Sequence, residues 1–519
     1  MKKILTIMLV ITTLGMQSCD TFLEEDPKGL ITPDNFYNNP TDAVTAVNAV
    51  YIAALRSEVL GVEPFFLNEL AADDTFYTGT ATAERDGMNL LTWDDKSSLF
   101  QNTWANRYRA ITRANEVLIY VNSSNAGALS KRVRAEACFM RAFCYFDLVR
   151  WYGDVPLVTG LATADLYPSR SPRAAVYNQI IEDLKIAEND LDDKYSYMDA
   201  NGGRATKGAA KSLLGKVYLT MAGAPMNMTE MYAEAEKKLK EVIDNSATYG
   251  YKFMPVYSDM FPRSPNDGNK ALNTETIFYT RCNSTLSAVG GSWSFSRMGL
   301  WTRSQGFMPS SDAIASSDNT PNALYNKVDL RRKSNLGTTQ GAYPTTAASP
   351  FIVYDLNDPY STPTGRTKFI VKYLDFVNGT NGANDFVWLR YSDVLLMYAE
   401  ALIEQGKNLD VAKGYINMTR NRAGIGNTTA ITQVELREEL RKERHRELFF
   451  EGQRRFDLVR WNIYAQAVKG AKERSYFFYK KLNIGDNSYM EGDYLKLFPI
   501  PKNELITNPN IKDHQNPGY

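Results

Sequence analysis

The chain has 519 residues, with 59 Lys plus Arg against 59 Asp plus Glu, so its formal charge at neutral pH is zero. That balance excludes the basic excess from which nucleic-acid binders draw most of their affinity. With two histidines (His445 and His514) and four cysteines lacking any CxxC pair, the sequence has no zinc-binding cluster, no disulfide framework and no cofactor motif.

The N-terminus sets the location. Lys2 and Lys3 precede an apolar run from Ile4 to Met16 that ends at Gln17-Ser18-Cys19. A basic start, a short apolar stretch and a small residue before the cut describe a secretory signal peptide over residues 1–18. The run falls short of the roughly 20 apolar residues of a transmembrane helix. Cysteine directly after the small residue matches a bacterial lipobox, so cleavage makes Cys19 the lipidated first residue, held by two or three acyl chains such as palmitate. The alternative is a plain secreted chain with an incidental cysteine. Residues 21–32, with Glu24, Glu25 and Asp26, read as a solvated spacer.

Helical periodicity then dominates. It predicts helices over 42–60, 100–121, 134–151 and 173–191, and, after the break at Asn201-Gly202-Gly203, over 206–221 and 230–243. Cys138 and Cys144 lie six apart on one of these helices, a poor disulfide geometry, and read as small buried hydrophobes. Leu214-Gly215-Lys216-Val217-Tyr218, followed by Tyr232, Ala235 and Leu239, approximates the tetratricopeptide pattern. A second such helix pair is predicted at 394–406 and 411–424. Between the pairs, residues 249–386 are rich in Gly, Pro, Ser, Thr and Asn, with short extended runs at 276–279 and 369–371. The tail from 488 is irregular and is expected to wrap back over the core.

The predicted class is therefore all-α, with tetratricopeptide-like helix pairs as scaffold and a large loop-rich insertion containing short strands. The expected organisation is a helical region over 19–245 and a second region over 246–519. The second divides into loops to 386, helices over 387–470 and the tail, and the two regions form one interlocked unit.

One block invites an enzymatic reading. Glu443, Glu447 and Glu451 follow at four-residue spacing, with His445 and several arginines between and Arg454 three residues on. On a helix this is a salt-bridged face that supports packing. Nothing in it marks a poised acid or base, so no catalytic residue is assigned.

Five blocks in order resemble the SusD/RagB family of Bacteroidetes lipoproteins. The first is Cys19-Asp20-Thr21-Phe22-Leu23-Glu24 with Asn35-Phe36-Tyr37. The second is Arg141-Ala142-Phe143-Cys144-Tyr145-Phe146-Asp147, continuing to Tyr152-Gly153-Asp154-Val155-Pro156. The third is Leu389-Arg390-Tyr391-Ser392-Asp393-Val394, continuing to Tyr398-Ala399-Glu400-Ala401. The fourth is Glu443-Arg444-His445-Arg446-Glu447-Leu448-Phe449-Phe450-Glu451-Gly452, with Asp457-Leu458 and Arg460-Trp461. The ending Phe498-Pro499-Ile500-Pro501 with Asn516-Pro517-Gly518-Tyr519 is the fifth.

The resemblance implies a non-catalytic, surface-exposed outer-membrane lipoprotein. Such a protein captures an oligosaccharide, or sometimes a peptide, for a SusC-like TonB-dependent transporter on which it docks as a lid. It also implies a ligand pocket drawn from a loop before the second long helix and from loops of the insertion.

Sugar rings stack their C–H faces on aromatic side chains, and their hydroxyls need planar polar partners. Two stretches offer both in the corresponding places: Asp74, Tyr77, Arg85, Asn89 and Trp93 in one, Trp293 and Trp301 in the other. Each tryptophan has core burial as its competing fate. Trp104, Trp151, Trp388 and Trp461 lie in helical or family-pattern blocks and are assigned to the core. An α-helical glycoside hydrolase would need two carboxylates about 5–10 Å apart across a cleft.

Overall fold

The structure, a computed structural model, describes residues 36–37, 40–55, 63–77, 84, 87–88, 91–121, 127–161, 163–262, 267–281, 307–309, 324–326, 328–338, 368–370, 372–373, 384–469 and 492–519. Helices α1 (Pro40–Leu55), α2 (Glu63–Glu69), α3 (Ser98–Tyr120) and α4 (Ala128–Tyr152) come first. Helices α5 (Arg173–Asp190), α6 (Lys207–Ala222) and α7 (Met231–Asp244) complete the N-terminal run. After the insertion come α8 (Tyr391–Glu404), α9 (Leu409–Arg422), α10 (Gln433–Glu447) and the short α11 (Arg454–Arg460).

Sequential helices pack side by side: α3 on α4, α4 on α5, α5 on α6, α6 on α7, and α8 on α9 and α10. Contact between α7 and α8 closes the gap across the insertion, so the two predicted helix pairs form one stack. Gly215 shows why the tetratricopeptide-like pattern needs glycine: a Cβ there would lie 2.6 Å from the Leu239 side chain of α7. Helix α4 is buried almost all round from Ala135 to Tyr152, as an apolar helix at the centre of a stack must be. Its Cys138 and Cys144 are free and buried, and burial pushes both thiols up to about 12.

Helix ends carry the expected chemistry. Ser97 caps α3, Thr206 caps α6, and Thr432 with Glu435 forms a reciprocal capping box on α10. Helix α4 begins at Ala128 rather than 134, with Leu129 and Val133 already packed on the core one turn apart.

The strands are short and pair antiparallel in two-stranded ribbons. These are β1 (Thr75–Tyr77) with β5 (Phe307–Pro309), and β2 (Val155–Pro156) with β3 (Arg170–Ser171). The others are β4 (Thr276–Thr280) with β8 (Phe386–Arg390), and β6 (Leu336–Thr338) with β7 (Lys368–Ile370). Strand β8 corrects the expectation of helix from 387: Phe386-Val387-Trp388-Leu389 is β-branched and aromatic, and the helix starts only at Tyr391. The β4–β8 ribbon sits on α4, with Phe278 edge-on to Phe139 at 4.9 Å and Trp388 edge-on to Phe143 at 5.3 Å.

The tail wraps back as expected. Phe498 N–H donates to the Trp151 carbonyl at 2.7 Å, and Asn516 Nδ2 donates to the Tyr152 carbonyl at 2.9 Å. The last residues thus close the C-terminal end of α4.

Candidate functional site

The densest chemistry in the sequence is spent on the core. Glu447, at the end of α10, accepts from Arg390 at 2.7 Å, from Arg331 at 3.0 Å and from Arg422. Burial alone would raise its carboxyl, but these three guanidiniums outweigh that and hold it far below the usual carboxylate range. Asp393 takes Lys216 and Arg444 at 2.9 Å each, and Arg460 binds both oxygens of Glu400, which also accepts from Trp461 Nε1 at 2.7 Å.

Glu443 accepts from Arg331 at 2.6 Å and is fully buried. The structural role expected of this face holds, but its partners come from distant elements, so the ion pairs form a buried lattice rather than a ladder along one helix. Glu451 lies beyond the end of α10 and binds Lys372 at 2.6 Å and Arg390, not Arg454. That corrects the predicted spacing pair. Burial lowers the Lys372 ammonium to about 8 despite its carboxylate partner. The third and fourth sequence blocks are therefore complementary halves of one ion-paired core.

Trp104 and Trp151 are in the core, as expected, whereas Trp388 and Trp461 are half-buried. Trp93 is 4% exposed, edge-on to Phe498 at 5.2 Å, and its Nε1 donates to the Tyr519 hydroxyl at 2.8 Å. A ring so enclosed offers no face to a sugar, and the stacking role expected of Trp93 does not survive its burial.

Asp74 is likewise enclosed at 1% exposure, with His445 Nε2 at 3.4 Å from its carboxylate. Its neighbour Asp73 is gripped by Arg454 at 2.7 and 2.8 Å. Burial would raise the Asp73 carboxyl, but Arg454 brings it down to about 2. Glu69, overlooked in the sequence, accepts the Gly452 N–H; burial and the Asp74 charge push its carboxyl well above the ordinary range. No local signal marks Glu69, Asp73 and Asp74 as partners of the 445–454 turn, because Asp73 and Arg454 are 381 positions apart.

This anchored segment leads directly into β1. In the β1–β5 ribbon, Thr75 faces Pro309, Phe76 faces Met308 and Tyr77 faces Phe307. The pairing joins the two stretches singled out for aromatic and polar side chains. The chain leaves β1 toward Arg85 and Asn89, and it enters β5 from Trp293 and Trp301. Tyr77 is placed by backbone alone; Arg85, Asn89, Trp293, Trp301 and Cys19 lie outside the described residues. Among the described residues no group of three or more His, Cys, Asp or Glu side chains is arranged to hold a metal ion. No described helix is long and apolar enough to cross a membrane.

A stack of tetratricopeptide-like helix pairs, knit by a buried ion lattice and interrupted by a strand-and-loop insertion, defines the structural class. The model described as the SusD family matches residues 195–519, and one described as "Starch-binding associating with outer membrane" matches residues 32–219. The chain belongs to the SusD family.

Among known relatives it is similar to SusD-like protein P2 of Formosa agariphila, 27% identical over 100% of this chain and 99% of that one. It is also similar to the starch-binding protein SusD of Bacteroides thetaiotaomicron, 25% identical over 88% of this chain and 85% of that one. A crystal structure of a SusD superfamily protein from Parabacteroides distasonis shares the fold, with a TM-score of 0.73 at 24% identity, over 94% of this chain and 100% of that one.

Proposed function

We propose that this chain is a non-catalytic, surface-exposed lipoprotein of the outer membrane. It captures an oligosaccharide and delivers it to a SusC-like TonB-dependent transporter. The observation that carries the reading is the β1–β5 pairing, which roots both aromatic stretches on one ribbon and ties that ribbon to the core through Asp73, Asp74 and Glu69. A rigid root under variable loops is how binding surfaces are commonly built. Family membership and a starch-binding relative support the ligand class. In the proposed site Trp293, Trp301 and Tyr77 supply the stacking faces and Arg85 and Asn89 the polar contacts. Asp74 anchors the start of β1 in the core, and Trp93 serves packing against Phe498 and Tyr519.

The lattice supports the non-catalytic part. Glu443, Glu447 and Glu451 each face a guanidinium or ammonium group and are buried, unlike a carboxylate pair open to substrate. A peptide ligand is the second reading. It is favoured by an open cleft of about 640 Å³ whose wall includes Val256, Tyr257, Phe261 and Leu330.

A glycan array probed with the chain lacking residues 1–19 tests the ligand class. The expected outcome is retention of one oligosaccharide group, lost in Trp301→Ala with an unchanged thermal melt. Binding of peptides in place of glycans, or a Trp301→Ala variant that binds like wild type, overturns the site. Cys19→Ser should move the full chain out of the membrane fraction; retention there contradicts the anchor.

A further inference from the structure

The Asn201-Gly202-Gly203 break has no evident task as a mere connector between α5 and α6. It folds against the β4–β8 ribbon and the turn at Tyr249–Tyr251, and together they wall a cavity of about 180 Å³. Gly203 and Gly250 both hold positive φ, at +92° and +78°, where a side chain would be strained. That backbone keeps the wall bare. The volume corresponds to roughly six waters at their liquid share, and is smaller than the pocket of a drug-sized ligand.

The lining is aromatic and polar. Tyr197 and Tyr279 stack with ring centres 5.6 Å apart and planes 9° from parallel. Asp385 is held in place by the Tyr197 hydroxyl at 2.7 Å and Lys270 at 3.2 Å, so this wall is preorganised. Two buried side chains present unused polar atoms. Asn384, 5% exposed, donates through Nδ2 to the Tyr373 carbonyl, while its Oδ1 has no partner among the described residues. Tyr249, 8% exposed, has a hydroxyl likewise without a partner among them, and burial raises that phenol further above its ordinary value.

The guest these groups would recognise is neutral and rich in hydroxyls. Asp259 and Asp385 share the lining with Lys194, Arg204 and Lys270, so charges of both signs are mixed around the cavity and a charged guest of either sign meets repulsion as well as attraction. A hydroxyl can donate to Asn384 Oδ1, and another can exchange a hydrogen bond with Tyr249.

We infer that this cavity is a second carbohydrate site, separate from the loops rooted on the β1–β5 ribbon, and that it takes a single neutral sugar residue. The inference rests on the carbohydrate reading above. It would let one chain hold a glycan at two places, which raises retention through effective concentration without tighter contacts at either.

Equilibrium dialysis of radiolabelled glucose, galactose, mannose and N-acetylglucosamine against the full chain in detergent is the test. One of the four should bind at one equivalent. Tyr249→Phe, which removes only the hydroxyl, should weaken it about five- to tenfold. Ala271→Trp, which places an indole at the exposed rim of the cavity, should abolish it. Both variants should melt like wild type. Trp301→Ala should leave monosaccharide binding intact whether or not it abolishes oligosaccharide binding, which separates this inference from the loop site. Retention of none of the four sugars, equal retention by both cavity variants, or loss in Trp301→Ala overturns the second site.

Discussion

Two glutamates of one charged core show what burial does and does not decide. Glu447 and Glu69 are both about fully buried, at 0% and 1% exposure. Glu447 faces Arg331, Arg390 and Arg422 and is held ionised; Glu69 faces a backbone N–H and the Asp74 carboxylate and is driven toward the neutral acid. The desolvation cost is shared, so the partners decide the charge state. The lattice around Glu447 is closed electrostatically. The root of β1 is left with three carboxylate oxygens, Glu69 Oε2 and both of Asp74, that have no hydrogen-bond partner among the described residues.

Breaking the closed side should cost most. Glu447→Ala removes the carboxylate shared by three buried guanidiniums, each of which keeps another carboxylate partner, and should lower unfolding free energy by about 3 kcal/mol, read from urea-denaturation midpoints. A loss below about 1 kcal/mol would show that the lattice is not the element holding α8, α10 and the insertion together.

Asp73→Asn at the ribbon root should cost about 2 kcal/mol at neutral pH. The Asp73 carboxyl is depressed to about 2, so its contribution is present above the unfolded value and is lost as pH falls through about 2. The gap between variant and wild type should therefore narrow from about pH 4 downward.

Glu69→Gln inverts the sign. A raised carboxyl means the folded state holds its proton more tightly than the unfolded chain, so stability is full below about pH 4 and declines as pH rises. Glutamine mimics the neutral acid, so the variant should melt like wild type near pH 4 and higher by a few degrees at pH 8. A variant less stable than wild type at pH 8 would mean that Glu69 is ionised and paired.

The smallest effect is reserved for Trp93→Phe. It removes the hydrogen bond to Tyr519 and should cost about 1 kcal/mol while leaving glycan binding unchanged. Lost binding with an intact fold would return Trp93 to the ligand site.

The sequence by itself determined the helical scaffold. Periodicity, caps and the Leu214-Gly215 pattern are local, and helices form where those signals lie. It also determined the order of the charged blocks, though not their use, since a carboxylate looks the same in a surface ladder and in a buried lattice. Tertiary structure alone decided that Arg390 would meet Glu447 and Glu451, that Asp73 would meet Arg454, and that Trp93 would face Tyr519 across 426 positions of chain. Ion pairs and aromatic packing are short-ranged, whereas their partners are distant in sequence. Composition therefore pointed to aromatic stretches, but only the pairing of β1 with β5 brought the two candidate loops to a common root.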